Sequence, residues 1–325
     1  MIEWTHRHTD INGIHMHYVE QGEGVPVVLC HGFPHLWFSW RHQIAALAAA
    51  GWRVIAPDMR GMGQTSAPAE VEAYGVDPIV ADLLGLLDHI GEQRAVFVGL
   101  DFGAFAVYDL ALRAPERVIA VIGLENPAAP HNPDVPPLTE YAEIAKQHFL
   151  HIEYFREPGP ADAALNAAPR EFLNKVFYAL SGDYEMAAVF RHPPGTTYLD
   201  ALPEPPPLPW RWMSDLEMEY FVSEYSRTGF TGGLNYYRAM DLKWSQRKPY
   251  EGVQSRVPAF FIGSERDIDL EAFHGDDPIS LMRAQFPDLR EVAMIPKAGH
   301  MVQMECPDEV NRYLLKFLDS LRGEI

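Results

Sequence analysis

The apolar residues of this chain fall into short runs separated by helix-like stretches. Val25-Pro26-Val27-Val28-Leu29-Cys30 is one run, and Trp52-Arg53-Val54-Ile55-Ala56-Pro57-Asp58 is another. Residues 95–99 and 118–123 repeat the texture. Unbroken β-branched runs suit strands covered on both faces, because no position is left to face water. Helical patterns over residues 80–90 and 102–113 lie between them. Strand–helix alternation of this kind predicts a doubly wound, mostly parallel sheet. The texture returns at residues 257–262 and 289–295, and an amphipathic helix over 307–321 closes the chain.

The middle differs. Residues 127–252 hold few strand signals and many Tyr, Phe and Trp residues in helix-like stretches. The predicted organisation is therefore a core of residues 1–126 and 253–325, with a helical lid (cap) of residues 127–252 inserted into it. The tract Pro203-Glu204-Pro205-Pro206-Pro207-Leu208-Pro209 reads as a stiff connector within the lid; docking of a proline-binding module is the alternative.

Composition narrows the function. Of 325 residues, 47% are hydrophobic and 22% charged, as in an ordinary globular enzyme. The 26 basic and 45 acidic residues give a net charge of −19. That field argues against a nucleic-acid or anionic-membrane partner and mildly favours neutral substrates. Two cysteines, Cys30 and Cys306, do not make a disulfide framework or a cysteine-rich zinc site. No signal-peptide pattern or long apolar span is visible, so a cytoplasmic enzyme, monomer or homodimer, is the expectation.

The chemistry is concentrated in Gly99-Leu100-Asp101-Phe102-Gly103, between a predicted strand and a predicted helix. Gly-x-nucleophile-x-Gly in that setting is the nucleophile elbow, usually built around Ser. Here the central residue is Asp101. The adjoining helix N-terminus favours its ionised form. A carboxylate attacks saturated carbon bearing a strained or good leaving group, giving an alkyl ester that water then cleaves. His31-Gly32-Phe33-Pro34 follows the first apolar run, and the backbone N–H groups of Phe33 and Phe102 can form an oxyanion hole. His300, in Ala298-Gly299-His300-Met301, comes last in the order that hydrolase triads take on such a sheet, and would activate water.

With these motifs the chain resembles the epoxide hydrolase branch of the α/β-hydrolase fold over nearly its whole length. The resemblance implies hydrolysis of a small, neutral, apolar epoxide to a vicinal diol through an ester on Asp101, with no metal or organic cofactor. Leu234-Asn235-Tyr236-Tyr237-Arg238 is similar to a family lid motif whose ring-opening tyrosine falls on Tyr237. Tyr154-Phe155-Arg156-Glu157-Pro158-Gly159 is similar to the segment after the other lid tyrosine, but the position four residues before Phe155 holds His151. Some bacterial members use such a His–Tyr pair. The relay acid is Asp267, at the family's usual position, or Glu125, at the alternative one; the lid motifs favour Asp267. Asp269 reads as a solvated carboxylate. Trp37 and Phe105, with Phe33 and Phe102, imply an apolar substrate pocket.

A haloalkane or haloacid dehalogenase shares Asp101 and His300. Its halide-binding Trp after the nucleophile is replaced here by Phe102, and carboxylate-binding arginines by Phe102 and Phe105. A third reading, a non-enzymatic ligand receptor or interaction protein, conflicts with the intact Asp–His–acid set.

Overall fold

The computed structural model describes residues 3–324 apart from 269, 271, 272, 275 and 276. Its centre is an eight-stranded sheet: β1 (Thr5–Ile11), β2 (Ile14–Gln21), β3 (Pro26–Cys30), β4 (Arg53–Pro57), β5 (Ala95–Leu100), β6 (Val118–Leu124), β7 (Ala259–Ser264) and β8 (Leu289–Ile295). The order across the sheet is β1-β2-β4-β3-β5-β6-β7-β8. β1 and β2 are antiparallel, β2 runs antiparallel to β4, and every pair from β4 to β8 is parallel.

The unbroken apolar runs have a simple cause. Alternate residues of one strand enter different cores. Val28 and Cys30 pack into one cluster, whereas Val27 and Leu29 pack into the other. All four are completely buried. Each such aliphatic side chain contributes roughly 1.5–3 kcal/mol by leaving water, so both faces hold the sheet in place. Helices α2 (Val76–His89) and α3 (Phe102–Arg113) cover the first face; α1 (Arg41–Ala49) and the helix Pro307–Leu321 cover the second.

The hairpin of β1 and β2 is not among the strands that the apolar runs predict. Most β1 side chains are exposed, so burial leaves little trace in its composition. The turn Asn12-Gly13, with both residues at positive φ, is the signal that marks it.

Between β6 and β7 the chain is helical: α4 (Pro137–Ile144), α5 (His151–Arg156), α6 (Pro160–Ala167), α7 (Pro169–Leu180), α8 (Tyr198–Ala201), α9 (Asp215–Thr228), α10 (Thr231–Arg238) and α11 (Met240–Arg247). The proline tract runs irregularly between α8 and α9. The Trp210 indole N–H donates to the carbonyl of Pro206 at 2.9 Å, tying the tract back to the insertion. The insertion packs on the C-terminal ends of the parallel strands, where open α/β sheets place their sites. Among the described residues no helix is long and apolar enough to cross a membrane.

Candidate active site

Asp101 occupies the turn between β5 and α3, with φ 56° and ψ −126°. A non-glycine residue in that conformation is strained and persists only where its surroundings enforce it. The enforcement is close packing. A Cβ on Gly103 would overlap the carbonyl oxygen of Cys30, and one on Gly99 would overlap that of Gly103. Only glycine at both places lets the turn press against β3 and project the Asp101 side chain away from the sheet toward the cavity it lines.

The Asp101 carboxylate is held by backbone. Phe33 N–H donates to Oδ1 at 2.8 Å, and Phe102 N–H also donates to the carboxylate. The Phe33 loop is fixed in turn by His31, whose burial keeps it neutral. His31 Nδ1 bonds the Gly32 carbonyl at 2.8 Å, and Nε2 accepts Met59 N–H at 2.9 Å. Burial pushes the Asp101 acid above its ordinary value, while His300 and the two N–H groups oppose that shift.

His300 lies in the loop after β8. Its Nε2 is 3.8 Å from Asp101 Oδ2, and its Nδ1 is 2.9 Å from Asp267 Oδ2. The loop is latched on two sides. His300 N–H donates to the Leu180 carbonyl at the end of α7, and Gly299 N–H donates to Glu305 at 3.1 Å. Of the two candidate acids, Asp267 is therefore the one in contact with His300. Glu125, fully buried at positive φ after β6, instead accepts from Ser264, through its N–H at 3.0 Å and its hydroxyl at 2.7 Å. Asp269 lies outside the described residues.

The insertion supplies the opposite wall. A cavity of about 30 Å³ is lined by Asp101, His300, Phe33, His151, Tyr237 and Tyr198, among others. Tyr237 sits edge-on to Phe102, with centroids 4.7 Å apart, and edge-on to His151 at 5.7 Å. Its neighbour Tyr236 points away and donates its hydroxyl to the Arg60 carbonyl at 3.0 Å. His151 stacks on Tyr198 at 5.8 Å. Its buried Nδ1 has no hydrogen-bond partner among the described residues, and burial lowers its pKa to about 3, so the ring is neutral.

The aromatic expectations need correction. Trp37 does not line this cavity. Asp58 accepts its backbone N–H at 3.0 Å, and its indole packs on Trp4 and donates to Tyr220 at 2.7 Å. That turns the ring toward His6 and His17 of the N-terminal hairpin and into the second core cluster. Phe105 faces a separate cavity of about 280 Å³ behind Phe102, shared with Lys243, Arg247 and His274. Tyr198, Phe190 and Met186 were not expected at the site, since nothing in a helical run says which apolar side chain faces inward. Among the described residues no group of three or more His, Cys, Asp or Glu side chains is arranged to hold a metal ion.

A family model described as alpha/beta hydrolase fold matches residues 25–307. The chain is 43% identical over 321 residues to Epoxide hydrolase A of Mycobacterium tuberculosis, covering 98% of each. This chain belongs to the epoxide hydrolase family of the α/β-hydrolase fold. Solved structures of epoxide hydrolases agree. Epoxide Hydrolase A from Mycobacterium thermoresistibile superposes with a TM-score of 0.90 at 40% identity, covering 98% of both chains. An epoxide hydrolase from an endophytic Streptomyces superposes with a TM-score of 0.93 at 36% identity, covering 98% of this chain and 96% of that one. The epoxide hydrolase family membership makes the chain a hydrolase, in place of a non-enzymatic relic, and does not favour the dehalogenase alternative.

Proposed function

We propose that the protein hydrolyses a small, neutral, apolar epoxide to a vicinal diol through an ester on Asp101. The observation that carries this reading is the convergence of Asp101, His300, Tyr237 and His151 around one cavity, with Asp267 bonded to the far side of the His300 ring. Residues 1–126 and 253–325 form the core in this account, and residues 127–252 form the lid that brings the two ring-opening groups.

In the first step an Asp101 oxygen attacks a ring carbon and the C–O bond of the epoxide breaks. The departing oxygen takes a proton from the Tyr237 phenol and accepts a hydrogen bond from neutral His151. Nδ1 of His151 suits such a contact, because no described residue takes up its polar capacity. In the second step His300 Nε2 takes a proton from water, and hydroxide adds to the carbonyl carbon of the ester. Asp267 holds the tautomer with Nδ1–H and stabilises the imidazolium. The tetrahedral oxyanion is stabilised by the N–H groups of Phe33 and Phe102, which already bond the carboxylate. Collapse expels the diol as its alkoxide, which takes the new carboxyl's proton and so restores the Asp101 carboxylate, while the His300 imidazolium returns a proton to the Tyr237 phenolate. No step asks for a metal or an organic cofactor.

The test is direct. Purified protein is mixed with styrene oxide or a trans-disubstituted epoxide, and diol is measured. Diol formation that disappears in Asp101→Asn supports the reading. Halide release from haloalkanes without any diol from epoxides would overturn it.

A further inference from the structure

Glu125 is fully buried, and its carboxyl is held by both the N–H and the hydroxyl of Ser264. The carboxyl of Asp267 lies within hydrogen-bonding reach of it. His300 faces Asp267 as its cation-forming partner. β6 and β7 are neighbours in the sheet, with Leu124 opposite Ile262, so the segments after them bring the two acids together.

Two carboxylates have only acceptors to offer each other, so a hydrogen bond between them requires a proton. Burying two negative charges side by side is costly. Asp267 has the imidazole as its partner, so it is the better place for the single charge. We propose that Glu125 and Asp267 share one proton, carried by Glu125 and donated to Asp267, which makes Glu125 a positioning residue for the Asp267–His300 pair. Burial and the nearby Asp267 also push the Glu125 acid well above its ordinary range. Among the described residues, the other titratable groups facing the pair are Asp101, across His300, and His274, beside Asp267. His274 is driven down to about 4 by burial and is neutral near pH 7. Glu125 would then aim the relay acid while adding no charge of its own. The kinetic part of this proposal rests on reading Asp267 and His300 as the hydrolytic relay; the spectroscopic part does not.

The test uses infrared difference spectroscopy of the wild type against Glu125→Gln at pH 8. The expected result is one protonated-carboxyl C=O band, shifted in D₂O, absent from the variant and persisting in the wild type well above the ordinary carboxyl range. Absence of that band overturns the proposal. Should Glu125→Gln fail to fold, Asp267→Asn serves, since removing the acceptor must shift the same band. Kinetics give a second readout. Glu125→Leu is expected to lower kcat about tenfold, with Gln restoring most of the loss because its amide can still donate to Asp267. Glu125→Gln should leave the acid limb of kcat within about 0.3 pH unit of wild type, because the pair keeps one negative charge. A fall of that limb by about one unit would mean that both acids were ionised, and would overturn the proposal. If no epoxide is turned over, the kinetic readout fails with the proposed function, and the infrared result still decides the proton.

Discussion

Nδ1 of His300 lies 2.9 Å from Asp267 Oδ2, while Nε2 of the same ring lies 3.8 Å from Asp101 Oδ2. The first contact assigns the Nδ1 proton, which leaves Nε2 as the basic nitrogen facing the nucleophile. The second distance is longer than a hydrogen bond. In the proposed reaction a water beside the Asp101 ester would be deprotonated by Nε2. Removing the carboxylate should therefore damage the second step more than the first. Asp267→Asn is expected to slow hydrolysis by about 10²-fold or more, with the ester accumulating. Rapid-quench single turnovers separate the two steps; equal slowing of both would contradict the assignment.

Ring opening is assigned to two donors on the insertion. With one retained, part of the assistance should remain. Tyr237→Phe and His151→Phe are each expected to slow ester formation by about 10- to 100-fold, and the double variant to lose more than either. Stopped-flow alkylation measures this. A His151 variant with wild-type alkylation would reduce that residue to packing against Tyr198 and Tyr237.

The acid side of the pH profile follows from burial of Asp101. Its pKa is raised above the ordinary value by desolvation, against the pull of His300 and the Phe102 and Phe33 N–H groups. Alkylation needs the ionised form, so its rate should fall with decreasing pH at a higher pH than for an ordinary aspartate. His151, held at about 3, should add no titration near neutrality. Single-turnover alkylation from pH 4 to 8 provides the check.

Stability should also depend on pH through Glu305. Its carboxylate accepts N–H bonds from Gly182 at 2.9 Å and Gly299 at 3.1 Å, yet burial raises its pKa from 4.5 to about 7. A raised folded-state value means stability that is full below the unfolded value and lost as pH rises through the folded one. The loss is at most roughly 3 kcal/mol between pH 4.5 and 8. In denaturant titrations the stability gap between wild type and Glu305→Gln should narrow as pH rises from 5 to 8. A constant gap would show that Glu305 titrates normally.

What could be seen in the sequence depended on how local each determinant is. The elbow around Asp101 is five consecutive residues, and its glycines have a steric reason visible in any strand–turn–helix. The choice between Asp267 and Glu125 was less legible, because both follow adjacent strands and the side-chain contacts separate them. Trp37 shows another limit: an aromatic residue near a motif says that a ring is buried, not on which side of the sheet. Its direction is set by Asp58 and Tyr220, from distant parts of the chain. Strand β1 was hidden by exposure, although Asn12-Gly13 announced its turn.

The central claim is the ester on Asp101. His300→Gln removes the base that activates water while leaving the nucleophile intact, so the ester should persist. The variant is mixed with styrene oxide and its intact mass is recorded, followed by peptide mapping. The account predicts a mass increase of one epoxide per chain, located on Asp101 and absent when Asp101 is also changed to Asn. Diol formation at the wild-type rate with no adduct, or an adduct on another residue, would contradict it.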